Sequence, residues 1–261
     1  ACKDDGCGHT EEMTLPARGH YWDVGRVTTP PTETTAGVRT YTCRIYGCNA
    51  TRTEEIPKLA LQVPVSERFD DVDPNGWACE DIQYCVDHDL MNGIGNRKFA
   101  PKMVMTRAQM VQVLYNIVGE PAVTGETTFT DLTANWYQNA VLWAYQTGVA
   151  SGMSETTFAP DDPVTREQVT VFLAEFADRV LDKYTPYMWD ALFPFQDRES
   201  ISYYARTAMN WACNLGLIKG IPGPGGLRLE PQSYATREQM AVILAQFCRE
   251  LNVWNEPIPE L

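Results

Sequence analysis

Three segments of this chain carry the same landmarks in the same order, at a pitch of about 60 to 70 residues, and that repetition constrains the fold more than any other feature. The shared order is Phe-x-Asp, an aromatic residue opening a helix, a glycine turn, an apolar-x-Pro step and Thr-Arg-x-Gln. The first repeat has Phe69, Asp71, Trp77, Gly93, Phe99, Pro101 and Thr106-Arg107-Ala108-Gln109. The second has Phe129, Asp131, Trp136, Gly152, Phe158, Pro160 and Thr165-Arg166-Glu167-Gln168. The third has Phe195, Asp197, Tyr204, Gly220, Leu229, Pro231 and Thr236-Arg237-Glu238-Gln239, and each proline stands at one fixed spacing from its threonine.

Each repeat reads as two helices. The first runs from Trp77 to about His88, from Trp136 to about Thr147 and from Tyr204 to about Leu215, each stopped by a glycine turn. The second opens at the threonine and repeats one apolar stripe: Met110, Val113, Leu114 and Ile117; Val169, Phe172, Leu173 and Phe176; Met240, Ile243, Leu244 and Phe247. No single repeat can bury such a face, so the three are expected to close on one another into a mainly α body.

The expected organisation is a small Cys-rich β module at 1–58, a linker at 59–66, repeats at 67–122, 123–182 and 183–251, and a tail at 252–261. Strand-favouring runs such as Arg26-Val27-Thr28 and Thr40-Tyr41-Thr42 support the β assignment. An insertion between the second and third repeats, Leu181 to Leu192, carries Tyr184, Tyr187 and Trp189, which predicts packing on the body or contact with a protein partner.

Thr-x-x-Gln at a helix start is a capping box and accounts for Thr106, Thr165 and Thr236 with Gln109, Gln168 and Gln239. It does not account for Arg107, Arg166 and Arg237, which stand in the first helical turn where the macrodipole disfavours a cation. Two readings follow. Either each guanidinium joins free helix N-terminal amides in clamping an anion, or it forms an internal salt bridge to Asp71, Asp131 or Asp197. On the first, an alanine substitution leaves the fold intact.

The order of these motifs resembles the S-layer homology domain, in its usual three tandem copies, over about residues 66 to 251. The resemblance implies a pseudo-threefold helical spindle with a central three-helix bundle and grooves between repeats that bind an anionic, pyruvylated secondary cell-wall polysaccharide. It further implies that Arg107, Arg166 and Arg237 clamp the ketal carboxylate and that Asp71, Asp131 and Asp197 accept sugar hydroxyls. Trp77, Trp136 and Tyr204 would face the sugar ring, the tryptophans having a core-anchor alternative, and Gly93, Gly152 and Gly220 would let backbone approach the ligand. In the third repeat Tyr204 replaces tryptophan and Pro222-Gly223-Pro224-Gly225-Gly226 lengthens the turn, so its groove is the least conforming.

Cys2, Cys7, Cys43 and Cys48 bracket the amino-terminal module. Zinc or two disulfides would staple it, with His9 or His20 able to replace a ligand. Its Cys-Gly-His-Thr-Glu run at residues 7–11 and its His20 and Trp22 resemble Cys-rich modules of surface proteins of gut Firmicutes. Further along, Cys79 and Cys85 read as buried thiols, Cys213 and Cys248 as a pair, and His88 as a helix-end residue near the dipole's negative pole.

The net charge of −13 opposes broad attraction to nucleic acid, so an anionic ligand needs a few local cations. No apolar run is long enough to span a membrane, and Ala1 is not followed by a basic-then-apolar leader, which reads as a mature or cut piece of a secreted protein. With three histidines and no Gly-x-Ser-x-Gly, phosphate loop or His-Glu-x-x-His, the chain reads as a monomeric, extracellular, non-catalytic anchor that needs no cofactor. The alternatives are the same scaffold used for protein binding and, third, a wall-glycan hydrolase working through paired carboxylates.

Overall fold

The computed structural model describes residues 19–30, 35–56, 63–186 and 189–254. The chain divides into two compact units, 1–62 and 63–261. In the first, strands β1 (Arg26–Thr29), β2 (Gly37–Thr42) and β3 (Thr51–Ile56) form an antiparallel sheet in the order β1-β2-β3. β1 is exposed throughout and β3 on all but Ile56, β2 is partly covered, and Cys43 is the one buried apolar side chain among the unit's described residues.

The second unit is helical. It contains α1 (Val65–Arg68), α2 (Cys79–Asp87), α3 (Arg107–Ile117), α4 (Asn135–Thr147), α5 (Arg166–Arg179), α6 (Arg206–Asn214) and α7 (Arg237–Glu250), with a hairpin of β4 (Ile221–Gly223) and β5 (Gly226–Arg228) before α7. Residues 63–66 of the expected linker belong to this body. Val65 is buried and its amide donates to Gln83 Oε1, in a one-turn helix that packs on α2.

The long helices α3, α5 and α7 carry the three apolar stripes, and every stripe residue is buried. Each opens on its threonine with a complete capping box. The shorter helices do not pack chiefly on their own repeat's long helix. Instead α4 lies on α3, α6 on α5 and α2 on α7, so each short helix covers the preceding repeat and the first closes on the last.

Backbone hydrogen bonds tie this ring at its centre. Met105 N–H donates to Ala235 O at 2.9 Å, Ala235 N–H to Val164 O at 3.1 Å, and Val164 N–H to Met105 O at 2.9 Å. Those residues immediately precede the three capping threonines. The pseudo-threefold closure therefore comes from main chain as well as from core.

Trp136 sits in the first turn of α4, as expected. Trp77 precedes α2 in a turn and Tyr204 lies in a 3₁₀ turn, Tyr203–Ala205, before α6. Of the aromatic insertion, Leu181 and Leu192 are buried and Tyr184 packs on Trp211 at 5.4 Å between centroids, whereas Trp189 is exposed. Tyr187 lies outside the described residues. His88 ends α2, stacked on Tyr84 and Trp254.

Cys79, Cys85, Cys213 and Cys248 are free thiols. Cys85 and Cys248 are buried and Cys79 is half-buried. The expected pairing of Cys213 with Cys248 does not form, because α6 packs on α5 whereas α7 packs on α2. Burial pushes both thiols up to about 12.

Candidate functional site: arginines and grooves between repeats

The arginines reach across repeat boundaries. Arg107 Nε donates to Phe158 O at 2.9 Å and Nη2 to Ser151 O at 2.8 Å. Arg237 matches it, with Nε on Phe99 O at 2.8 Å and Nη2 on Asn92 O at 2.6 Å. Each guanidinium also lies over the phenylalanine ring, Phe158 at 4.7 Å and Phe99 at 4.6 Å. All three arginines are about 95% buried, at 5 to 6% exposure, and burial lowers their pKa values without making them neutral.

The helix N-terminal amides beside them are already occupied. Arg107 N–H donates to Asp162 O, Ala108 N–H to Pro160 O and Gln109 N–H to the Thr106 hydroxyl. Arg166 and Glu167 use Ser233 O and Pro231 O in the same way, and Arg237 and Glu238 use Met103 O and Pro101 O. These ends therefore offer no free N–H to an anion. The expected partnership of guanidinium and helix amides gives way to a cap supplied by the next repeat.

Among the described residues the arginines also make no ion pair with Asp71, Asp131 or Asp197. Those carboxylates serve the main chain. Asp131 accepts from Phe158 N–H at 2.9 Å and Ala159 N–H at 2.7 Å; Asp71 takes Phe99 and Ala100, and Asp197 takes Leu229 and Glu230. Burial raises the pKa of Asp131 and Asp197, but these amides prevail and the net shift is downward. The middle residue of each apolar-x-Pro step is left-handed, with φ of 58° at Ala100, 59° at Ala159 and 50° at Glu230. A β-carbon disfavours this conformation, and the carboxylate on its amide holds it. Each aspartate thus shapes the turn whose carbonyls the neighbouring arginine grips.

The glycines answer first to the Phe-x-Asp ring. A β-carbon on Gly93 would stand 2.4 Å from the Phe69 ring, on Gly152 2.4 Å from Phe129, and on Gly220 2.5 Å from Phe195. Close approach of a core ring accounts for them before any ligand does.

Two grooves open beside these arginines. One, of about 510 Å³, lies between the turn Gly148–Met153 and α5, with Arg107, Glu175, Arg179 and Tyr204 on its walls. Arg179 and Glu175 pair there, and the Tyr204 hydroxyl donates to the buried Glu167 at 3.0 Å. Burial and that contact push Tyr204 up to about 12. The other, of about 610 Å³, lies between the turn Gly216–Pro222 and α7, with Arg166, Lys219 and Trp77. Its lining includes two cations and no carboxylate.

Arg166 also differs from its counterparts. Its Nε donates to Leu229 O at 2.8 Å, but among the described residues its terminal nitrogens have no hydrogen-bond partner. Gly220 takes φ of 77°, which Gly93 and Gly152 do not. Lys219, in the place of Ser151 and Asn92, offers Arg166 no carbonyl. The two departures of the third repeat therefore fall in different grooves, Tyr204 beside Arg107 and the lengthened turn beside Arg166.

Trp77 and Trp136 are 63% and 54% exposed, which excludes the core-anchor alternative and leaves their rings available to a ligand. The cyclic order places Trp136 toward the Arg237 boundary, as Trp77 stands toward Arg166 and Tyr204 toward Arg107. Sequence reasoning missed Lys219 and the buried acceptor Glu167, since neither recurs in all three repeats.

In the amino-terminal unit, His20, Cys43 and Cys48 come together, their ligand atoms all within 4.8 Å of one another. Cys43 and Cys48 are free thiols, not partners in a disulfide with each other. Burial raises the Cys43 pKa, but hydrogen bonds from the Ile45 amide, His20, the Tyr21 amide and Cys48 bring it down to about 7. Cys2, Cys7 and His9 lie outside the described residues.

Cyclic closure of three helical repeats, with grooves at their boundaries, defines a repeat-built helical module. The chain belongs to the S-layer homology domain family, whose model matches residues 68–111, 128–170 and 194–241. It is 28% identical over 173 residues to the surface-layer 125 kDa protein of Lysinibacillus sphaericus, covering 66% of this chain and 14% of that protein. It is 29% identical over 184 residues to the exoglucanase XynX of Acetivibrio thermocellus, covering 69% and 16%. Likeness to the amylopullulanase of Thermoanaerobacterium thermosulfurigenes is 28% over 179 residues, covering 67% and 9%. The match thus spans less than a fifth of each relative. Domains of this family anchor proteins to the cell wall and are non-catalytic, which makes this chain a surface-associated extracellular protein.

Proposed function

We propose that the helical body is a monomeric, non-catalytic wall anchor that binds an anionic secondary cell-wall polysaccharide, through a terminal sugar bearing a pyruvate ketal, chiefly in the groove of Arg166 and Lys219. The carrying observation is that groove's charge: two cations, one with unpartnered terminal nitrogens, and no carboxylate, within a chain of net charge −13. A guanidinium fork and an ammonium beside it suit a carboxylate on a sugar, and the exposed Trp77 suits the ring face. The Arg107 groove presents a guanidinium bound to two carbonyls and a paired Arg179, so it is the weaker of the two.

The test is titration of the chain with purified wall polymer before and after removal of its ketal carboxylates. Binding that disappears with the ketal supports the reading; equal affinity for both polymers rules it out. A second reading, docking of a surface protein, draws on Trp189, Phe193 and Tyr203, exposed by 81, 73 and 96%. Retention on wall stripped of polymer would favour it.

A further inference from the structure

We propose that the amino-terminal unit holds one zinc ion through His20 Nδ1, Cys43 Sγ and Cys48 Sγ. Cys48 Sγ lies 3.4 Å from His20 Nδ1, and the three donor atoms fall within 4.8 Å of one another. Ligands at about 2.3 Å for sulfur and about 2.0–2.1 Å for nitrogen around a tetrahedral ion stand roughly 3.5–3.8 Å apart, so modest side-chain movement brings this trio to ligating geometry.

The main chain presents these donors. Arg44 N–H donates to Tyr21 O at 2.7 Å and Asp23 N–H to Thr42 O at 3.0 Å, which pairs the segment after His20 with the segment carrying Cys43. The turn between the cysteines is closed by Cys48 N–H on Ile45 O at 2.9 Å and by left-handed Gly47, φ 80°. This brings Cys48 back beside Cys43.

Two thiolates and an imidazole form a soft, borderline donor set, which selects zinc over the oxygen-seeking magnesium and calcium. The energetic reason is equally local. Cys43 is the only buried apolar side chain among this unit's described residues, so the sheet lacks a core of its own and gains a staple from the metal. Water or a further side chain would take the fourth tetrahedral position. The site lies outside the helical body and does not depend on wall binding.

Full-length protein, purified under reducing conditions and stripped with chelator, is titrated with cobalt(II) as the spectroscopic stand-in. The expected result is one equivalent bound, with tetrahedral visible bands and a thiolate charge-transfer band, all abolished by one equivalent of zinc. Cys48→Ser and His20→Gln should each weaken cobalt binding by about tenfold or more, while Cys213→Ser in the helical body leaves it unchanged. Absence of a charge-transfer band in the wild-type protein overturns the proposal without recourse to any variant. So does a band that His20→Gln leaves at full affinity, which would mark an all-thiolate site, or a thiol count showing Cys43 and Cys48 oxidised in the reduced, stripped protein.

Discussion

Arg107, Arg166 and Arg237 occupy equivalent positions but differ in what they hold. Arg107 and Arg237 each satisfy two carbonyls of a neighbouring repeat, and Arg166 satisfies one. Replacing Arg107 or Arg237 by alanine removes charge-assisted bonds and leaves buried acceptors, at about 2 to 4 kcal/mol, whereas the anion-clamp reading of the sequence expects an intact fold and the internal-bridge reading a loss of stability. Arg166→Ala should cost less, and thermal unfolding of the three variants checks the order. Asp131 has a second signature. Its folded pKa lies below its ordinary 3.8, so its stabilisation is present above that value and lost as pH falls toward and through the folded one. Asp131→Asn should be less stable at neutral pH and lose less stability on acidification than wild type; a parallel pH profile would contradict the role given to its carboxylate.

At the scale of elements, the long helices were legible because their signals are local. A capping box and an apolar stripe at helical spacing depend on residues within one segment, and α3, α5 and α7 begin where those signals place them. Less legible was whatever depends on the next repeat. The arginines looked like misplaced charges because their carbonyl partners lie 44 to 145 residues away. Gly152 looked like a ligand-facing glycine because its nearest neighbours, the Phe129 ring and the carbonyls of Ser154 and Thr157, are set by the fold. Gly152→Ala should destabilise the body by about 1 to 3 kcal/mol through overpacking against that ring and against the carbonyl oxygens of Ser154 and Thr157, 2.4 and 2.7 Å from the added β-carbon, measurable by denaturant unfolding.

At the scale of the molecule, closure of α2 onto α7 joins the first repeat to the last and makes the body cooperative. A chain lacking the first repeat would uncover α7 and remove the carbonyls of Asn92, Phe99, Pro101 and Met103 that receive the α7 N-terminus and Arg237. It should lose its sharp melt altogether; a truncated body that melts as cooperatively as the whole would refute cyclic closure. The anchoring account turns on one groove, and Lys219 tests it cleanly because it is exposed and makes no hydrogen bond or ion pair among the described residues. The decisive measurement is calorimetric titration of wild type and Lys219→Ala with a pyruvylated wall-polymer fragment, beside their melting curves. The account predicts unchanged melting and a loss of affinity of about tenfold, as expected when one charge-assisted contact is lost. Unchanged affinity with unchanged melting would contradict it.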